Sequence, residues 1–360
     1  MASTTWSGHE ATRADRGGAA PRDARSAGYD WAGARGDKGL NQLAGMEALP
    51  AAGSGVVTSF LSDGNGGFPT IQDGSTSSST AVAIAAGLMG NTTMGATTAN
   101  STSGVSLYHA TSAGVVGYAG NYNLTSPTLT AGEVVAMAPL DGGSKAWIIE
   151  GTDSMLVVSA PAAGTNYTTP GSQYLLGVAI HGIAVGSLRG ATAPDVVAVG
   201  TETAGSNAYV LLNNGSGAFG LPQKLPVTAT ATAVATADVD GGGTDIVVAT
   251  NNQILVFLNQ GGGTFATTPA HTYAAQPTVT AVAVADFNGD GKPDIAASST
   301  GSDEVEIFTG NGDGSFNPPV VFAAGQAIQG IGVADFNRDT KPDIVVSGFF
   351  GMYLLQNSTM

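Results

Sequence analysis

Cysteine is absent from the 360 residues, which excludes disulfides, thiolate metal sites and a cysteine nucleophile. Charge is scarce: 11% of residues are charged, and 27 acids against 12 bases leave a net charge of −15. That balance lacks the basic footprint of nucleic-acid binding and suits solubility and cation binding. No apolar run reaches a bilayer-spanning length, and residues 1–53 contain no apolar signal core. A missing export signal fits a fragment or a misplaced start. The four histidines (His9, His109, His181 and His271) show no His-x-x-x-His or His-Glu-x-x-His spacing, and no Gly-x-Ser-x-Gly elbow occurs. Catalytic zinc and an esterase-type serine therefore have no support. Windows of amphipathic helical period are also missing.

What is abundant is glycine, 53 residues, and small or β-branched apolar side chains within a 42% hydrophobic total. Residues 1–53 hold six of the twelve bases (Arg13, Arg16, Arg22, Arg25, Arg35 and Lys38) without apolar periodicity, and read as a disordered leader. From residue 54 to 360 short apolar runs alternate with Gly, Asn, Asp and Pro, the pattern of many short strands. The runs recur with a period near 50 residues. An Ala/Val-rich strand appears at Val82, Val135, Ile183, Val234, Val282 and Ile331, apolar on both faces and so expected to be buried on both. A second strand follows at Trp147, Asp195, Asp245, Asp294 and Asp343, and a third at Tyr209, Ile254, Val305 and Tyr353. A Gly-rich turn then ends in Phe219, Phe265 or Phe316, before an irregular fourth strand such as Val320–Phe322. Four antiparallel strands repeated radially describe an all-β propeller of about six to seven blades. The last repeat stops after its third strand, while residues 56–72 read as a third and fourth strand without a first or second. The N-terminal strand is therefore expected to complete the last blade and close the ring.

Between the first and second strands lies an acidic loop, Asp286-Phe-Asn288-Gly-Asp290-Gly291-Lys292-Pro-Asp294. It recurs 49 residues later as Asp335-Phe-Asn337-Arg338-Asp339-Thr340-Lys341-Pro-Asp343. Oxygen-bearing side chains at positions 1, 3, 5 and 9 of one tight loop repel each other unless a cation neutralises them, and a hard ion such as calcium suits such a set. The copy Asp238-Val-Asp240-Gly-Gly-Gly-Thr-Asp245 is one residue shorter and lacks the central acid, so a bound and an empty loop both remain open. The copy from Ser187 keeps only Asp195, and the stretch from Pro139 to Trp147 has lost the pattern.

These residues resemble the FG-GAP and VCBS repeat families, typified by the propeller of integrin α chains; the resemblance spans residues 54–360 and is strongest over 230–350. It implies a propeller with Ca2+ bound in the loop between first and second strands. The implied ligands are the side chains of Asp286, Asn288, Asp290 and Asp294 with the carbonyl of Lys292. In the next copy they are Asp335, Asn337, Asp339 and Asp343 with the carbonyl of Lys341. There, loss of two glycines to Arg338 and Thr340 predicts strain or weaker binding. An EF-hand is rejected, because its position-12 glutamate is replaced by Ala297 and Val346 and the flanks are strands. A metal-free Asx-rich hairpin turn is the plain rival.

Other motifs carry less. Gly215-Ser-Gly217-Ala-Phe-Gly220 matches a dinucleotide pattern but sits between strands with no helix after it, and reads as a hairpin turn. Arg35-Gly36-Asp37 has an integrin-recognition composition, for which chance is sufficient. Asn-x-Ser/Thr sequons at Asn91, Asn100, Asn123, Asn166, Asn214 and Asn357 matter only in a eukaryotic secretory route. Trp147, Tyr108, Tyr118, Tyr122 and Tyr167 suit either a ligand face or, by preference, blade packing. The expected function is a non-enzymatic, calcium-stabilised binding or adhesion module at the cell surface or outside the cell, with a protein or glycan ligand. The alternatives are a propeller-scaffold polysaccharide lyase or hydrolase, against which stands the presence of only Arg189 and Arg338 beyond residue 40, and a structural repeat of a larger surface protein.

Overall fold

The structure is a computed structural model. It describes the strands from Trp6 to Tyr122 as backbone and residues 132–358 in backbone and mostly in side chain, leaving aside 144–146, 153–154, 162–171, 204, 326–327 and 349–350. The described residues form strands and no helix, arranged as seven four-stranded antiparallel sheets. In chain order, β1 is Trp6–Ala11. The first blade is β2 (Trp31–Arg35), β3 (Asn41–Leu49), β4 (Ser54–Leu61) and β5 (Thr70–Ser77), and the second is β6 (Ala81–Leu88), β7 (Met94–Asn100), β8 (Gly104–Ala110) and β9 (Val116–Tyr122). The third is β10 (Gly132–Ala138), β11 (Trp147–Thr152), β12 (Met155–Ser159) and β13 (Ser172–Leu175), and the fourth is β14 (Ala179–Gly186), β15 (Asp195–Glu202), β16 (Gly205–Leu211) and β17 (Gln223–Val227). The fifth is β18 (Ala231–Ala237), β19 (Asp245–Thr250), β20 (Gln253–Phe257) and β21 (His271–Ala274), and the sixth is β22 (Val279–Ala285), β23 (Asp294–Ser299), β24 (Glu304–Phe308) and β25 (Val320–Ala323). The seventh joins β26 (Gly330–Ala334), β27 (Asp343–Gly348) and β28 (Gly351–Asn357) to β1.

The six Ala/Val segments found in the sequence are the first strands of the second to seventh blades. The expectation of a leader over residues 1–53 changes in one respect: β1, β2 and β3 lie inside it. The outer strand of the seventh blade is β1, with Trp6 opposite Asn357 and Ala11 opposite Met352, whereas β4 pairs with β3 and β5 in a blade of its own. Gly- and Ala-rich strands such as β2 show no apolar alternation, so their pairing is set by backbone hydrogen bonds that composition does not reveal. In five blades the first strand carries a register shift near its start, for example between Ala231 and Ala233 and between Val279 and Ala281. Bulges of this kind add local twist.

The core lies between consecutive blades. Successive residues of a second strand point to opposite faces, so Val197 and Val199 pack with Ile246, Val248 and Phe257 of the fifth blade. Val196 and Ala198 pack the other way, with Ile149, Leu156 and Val158 of the third. In the same manner Val247 and Ala249 meet Ile295, Ala297 and Phe308, and Ala296 and Ile307 meet Ile344 and Val346. Burying each such large aliphatic side chain contributes roughly 1.5–3 kcal/mol. Here the burial expectation is corrected. The fully buried strands are the second ones, β19 and β23, while the first strands β18 and β22 are mostly half-buried. A second strand has a sheet packed on each face; the small side chains of a first strand leave one face partly accessible.

The Gly-rich turns act as clasps. Phe219, Phe265 and Phe316 bridge back to Asn213, Asn259 and Gly310. The N–H of Phe316 donates to the hydroxyl of Tyr273 on the preceding blade at 2.8 Å, and that of Phe219 to Tyr174 at 3.2 Å. The Trp147 ring packs on Gly217, where a Cβ would overlap the indole and where φ is +75°, so this aromatic residue serves blade packing. Gly215 has φ +93° and open space around it. Gly217→Ala is expected to lower stability by about 2–4 kcal/mol, through strain plus overlap, and Gly215→Ala by about 1 kcal/mol through strain alone. Chemical denaturation of both variants measures the difference.

Candidate cation loops and the carboxylates that anchor them

In the fourth to seventh blades the second strand opens with an aspartate of zero solvent exposure: Asp195, Asp245, Asp294 and Asp343. An ionised carboxylate in that position must be compensated, and two backbone donors reach Asp245 and Asp343 and three reach Asp294. One donor comes from the apolar second residue of the acidic loop: Val239 N to Asp245 at 2.8 Å, Phe287 N to Asp294 at 2.9 Å and Phe336 N to Asp343 at 2.9 Å. Another comes from beyond the third strand or its last residue: Asn259 N, Gly310 N and Asn357 N, each at 2.8 Å. Asp195 receives Asn213 N in the same way at 2.7 Å. Thus the last acid of each of these three loops, read from the sequence as a ligand, also ties the loop to the end of the neighbouring third strand.

The asparagines extend this tie to the preceding blade. Asn213 Nδ2 donates to the Leu140 carbonyl at 2.5 Å, Asn259 Nδ2 to that of Leu188 at 2.7 Å, and Asn357 Nδ2 to that of Phe287 at 2.6 Å. The sixth blade has Gly310 at this place, and Gly314 N donates to the Val239 carbonyl at 3.1 Å. The acceptors Leu140, Leu188, Val239 and Phe287 are all buried, with their side chains in the core and their carbonyls turned to the next blade. Sequence reasoning missed these asparagines, because Asn at the end of a strand reads as turn chemistry. Their recurrence at the end of third strands was the available signal. Asn357, a sequon by pattern, has its amide buried in this network.

The loops fold around their own acids. Asp286 accepts the N–H groups of Gly289, Asp290 and Gly291, Asn288 Oδ1 accepts Asp290 N, and Asp290 accepts Lys292 N. The second copy repeats the pattern. Asp335 accepts Asp339 N and Thr340 N, Asn337 Oδ1 accepts Asp339 N, and Asp339 accepts Lys341 N. Gly289 and Gly291 have φ of +74° and +81°, and Arg338 and Thr340 keep the same turn at +64° and +72°. The expected strain is therefore present, at about 1–2 kcal/mol per residue. In the fifth blade, Asp238, Asp240 and Asp245 bring carboxylate oxygens within 4.8 Å of one another, the one such triad among the described residues. Asp238 and Asp240 each accept one loop N–H, from Gly241 and Gly242.

Electrostatics separate the fourth blade from the others. Arg189 donates from Nη2 to Asp195 at 2.7 Å and from Nε at 3.2 Å, and also to the Asn213 carbonyl. An internal cation thus covers this buried acid. Asp245, Asp294 and Asp343 form no ion pair among the described residues. Burial pushes each up to about 6, with neighbouring acids of the loop adding to the rise, against the lowering by backbone donors.

The seven four-stranded antiparallel sheets of the described residues define the chain as a β-propeller-type repeat protein. Its repeats over residues 242–297 and 288–346 match the family model described as FG-GAP-like repeat. No curated protein matches the chain. Among solved structures, BBS1N in complex with ARL6DN is similar at 14% identity and TM-score 0.56, covering 88% of this chain and 87% of that one. An Agrocybe aegerita lectin, solved for its recognition of non-reducing terminal N-acetylglucosamine, is similar at 16% identity and TM-score 0.55, with coverage of 92% and 94%. At these identities the likeness is one of fold.

Two outcomes follow. Thr340→Gly relieves a β-branched residue from a left-handed turn and is expected to raise stability by about 1–2 kcal/mol. Arg189→Ala strands Asp195 without its cation and is expected to cost about 3–5 kcal/mol. Urea denaturation checks both.

Proposed function

We propose that the chain is a calcium-stabilised binding module of the β-propeller type, without catalytic activity, that presents its surface to a protein or glycan ligand outside the cell. The observation that carries the calcium reading is the contrast between blades. The same buried aspartate recurs four times; in the fourth blade Arg189 neutralises it, in the fifth Asp238 and Asp240 bring carboxylate oxygens beside it in place of a cationic side chain, and in the sixth and seventh the preceding loop carries oxygen-bearing side chains of the same kind. Those oxygens belong to Asp238 and Asp240, to Asp286, Asn288 and Asp290, and to Asp335, Asn337 and Asp339. All are hard donors, the chemistry that suits Ca2+. The fit is supported by the anchoring acids, which burial raises to about 6 with the neighbouring loop acids adding to the rise. Bound calcium would supply that charge. The residues themselves hold the loop against the blade, since their N–H donors are already turned inward.

The binding reading is supported by fold likeness to one protein solved with a protein partner and to one that recognises a sugar. The net charge of −15 disfavours nucleic acid, and no described helix is long and apolar enough to cross a membrane.

The test is thermal unfolding with calcium, magnesium or chelator. Calcium is expected to raise Tm, and Asp290→Ala combined with Asp339→Ala to abolish most of the gain; an unchanged Tm in excess chelator overturns the reading. The sign with pH is defined. Asp245, Asp294 and Asp343 sit above their unfolded values, so their contribution without calcium is complete below about pH 4 and declines as pH rises through about 6. Calcium needs the ionised forms, so its stabilising increment grows over the same range. Glycan arrays and protein capture, each with and without chelator, test the ligand class, and turnover of acidic polysaccharides would overturn the non-enzymatic reading.

A further inference from the structure

Glu150, in the middle of β11, has zero solvent exposure, and neither carboxylate oxygen has a hydrogen-bond partner. Ser159 on β12 is equally buried, with its hydroxyl also unpartnered. The register places Glu150 beside Val135 of β10 and Val157 of β12, with Ser159 opposite Ile148 one pair further along. Ile149, Leu156 and Val158 point the other way, into the core shared with the fourth blade. Alternation therefore turns Glu150 and Ser159 toward the second blade, whose strands β6 and β7 adjoin β10.

The strands that meet at that seam contain no lysine or arginine. The sequence has neither lysine nor arginine between Lys38 and Lys145, and β6, β7 and β12 contain no ionisable residue. Glu133 is the one ionisable residue of β10 and has the same sign as Glu150. The one basic residue in the strands of the second blade is His109 on β8, a strand remote from β10 in the order of that sheet. On the opposite face His181 belongs to β14 of the fourth blade.

We propose that the seam between the second and third blades is a proton-dependent joint, held tight by Glu150 as a neutral acid and loosened by Glu150 as a carboxylate. Charging this group inside an apolar interface, with no partner to receive it, disfavours the packed state. Burial raises the acid to about 7, so the joint responds between about pH 4.5 and 7. The contribution of the acid is complete below about pH 4.5 and is lost as pH rises through about 7. In effect the module stiffens when its surroundings acidify.

Hydrogen exchange of the full chain, corrected for intrinsic rates and run at fixed calcium from pH 5 to 8, reads the joint through peptides covering β10, β11 and β12. Opening that ionises Glu150 releases one proton, so the open fraction is expected to rise about tenfold per pH unit up to about pH 7 and then level off. Glu150→Gln keeps the shape and is expected to remove that slope in these peptides while leaving those of the sixth blade unchanged. Should the amide variant fold poorly, Glu150→Leu provides the same comparison with an apolar group. A wild-type chain with flat exchange, or a slope that persists in the Gln or Leu variant, overturns the proposal.

Discussion

A carboxylate withdrawn from water and held by backbone N–H groups at both oxygens is the interaction on which the described part of this molecule depends. It opens the second strand of three successive blades, at Asp245, Asp294 and Asp343, and receives donors from the loop before it and from the end of the neighbouring third strand. Moving that strand by one residue would turn the acid toward the apolar neighbour, where an uncompensated charge costs several kcal/mol. The acid thereby fixes strand register, loop path and the placement of the apolar residue that follows the first acid of the loop.

The tie then passes from blade to blade. Asn213, Asn259 and Asn357 take a backbone role on one blade and a side-chain role toward the previous one. Because the acceptor carbonyls belong to Leu140, Leu188 and Phe287, whose side chains fill the inter-blade core, packing and hydrogen bonding locate the same atoms. This explains which parts of the repeat persist as it degenerates. The third blade has lost its acidic loop but retains buried Leu140 and its carbonyl. The fourth has lost the loop acids, retains Asp195, and meets its charge with Arg189. The skeleton is kept, and the cationic side chain that the fourth blade supplies is absent beside Asp245, Asp294 and Asp343 among the described residues.

Much of this arrangement was legible in the chain. The period near 50 residues, the apolar second strands, the glycine turns ending in phenylalanine and the clustered acids all rest on local chemistry, and the structure places each in the element expected. Glycines at 289 and 291 and their replacements at 338 and 340 even foretold the strained turn. The strands β2 and β3 were not legible, because WAGAR and NQLAGMEAL show neither apolar alternation nor a β-branched run. The bridging asparagines were hidden because their residue type suits any turn. Arg189 was hidden because its partner lies across a loop rather than at a helical or strand spacing. Glu150 was an ordinary acid in an apolar strand until the neighbouring sheet removed it from water.

The sequence by itself determined the repeating unit, its strand content and the oxygen-rich loops, since these follow from residue types at short separation. Only the tertiary structure decided that there are seven sheets, that the outer strand of the last one comes from residues 6–11, and that one acid in each loop of the last three blades is buried rather than offered to solvent. It also decided that Asp195 has a cationic partner and that Asp245, Asp294 and Asp343 have none among the described residues. The reason is physical: hydrogen-bond pairing between distant strands and the loss of water around a charge depend on what packs against a residue, and that neighbour is tens of residues away along the chain.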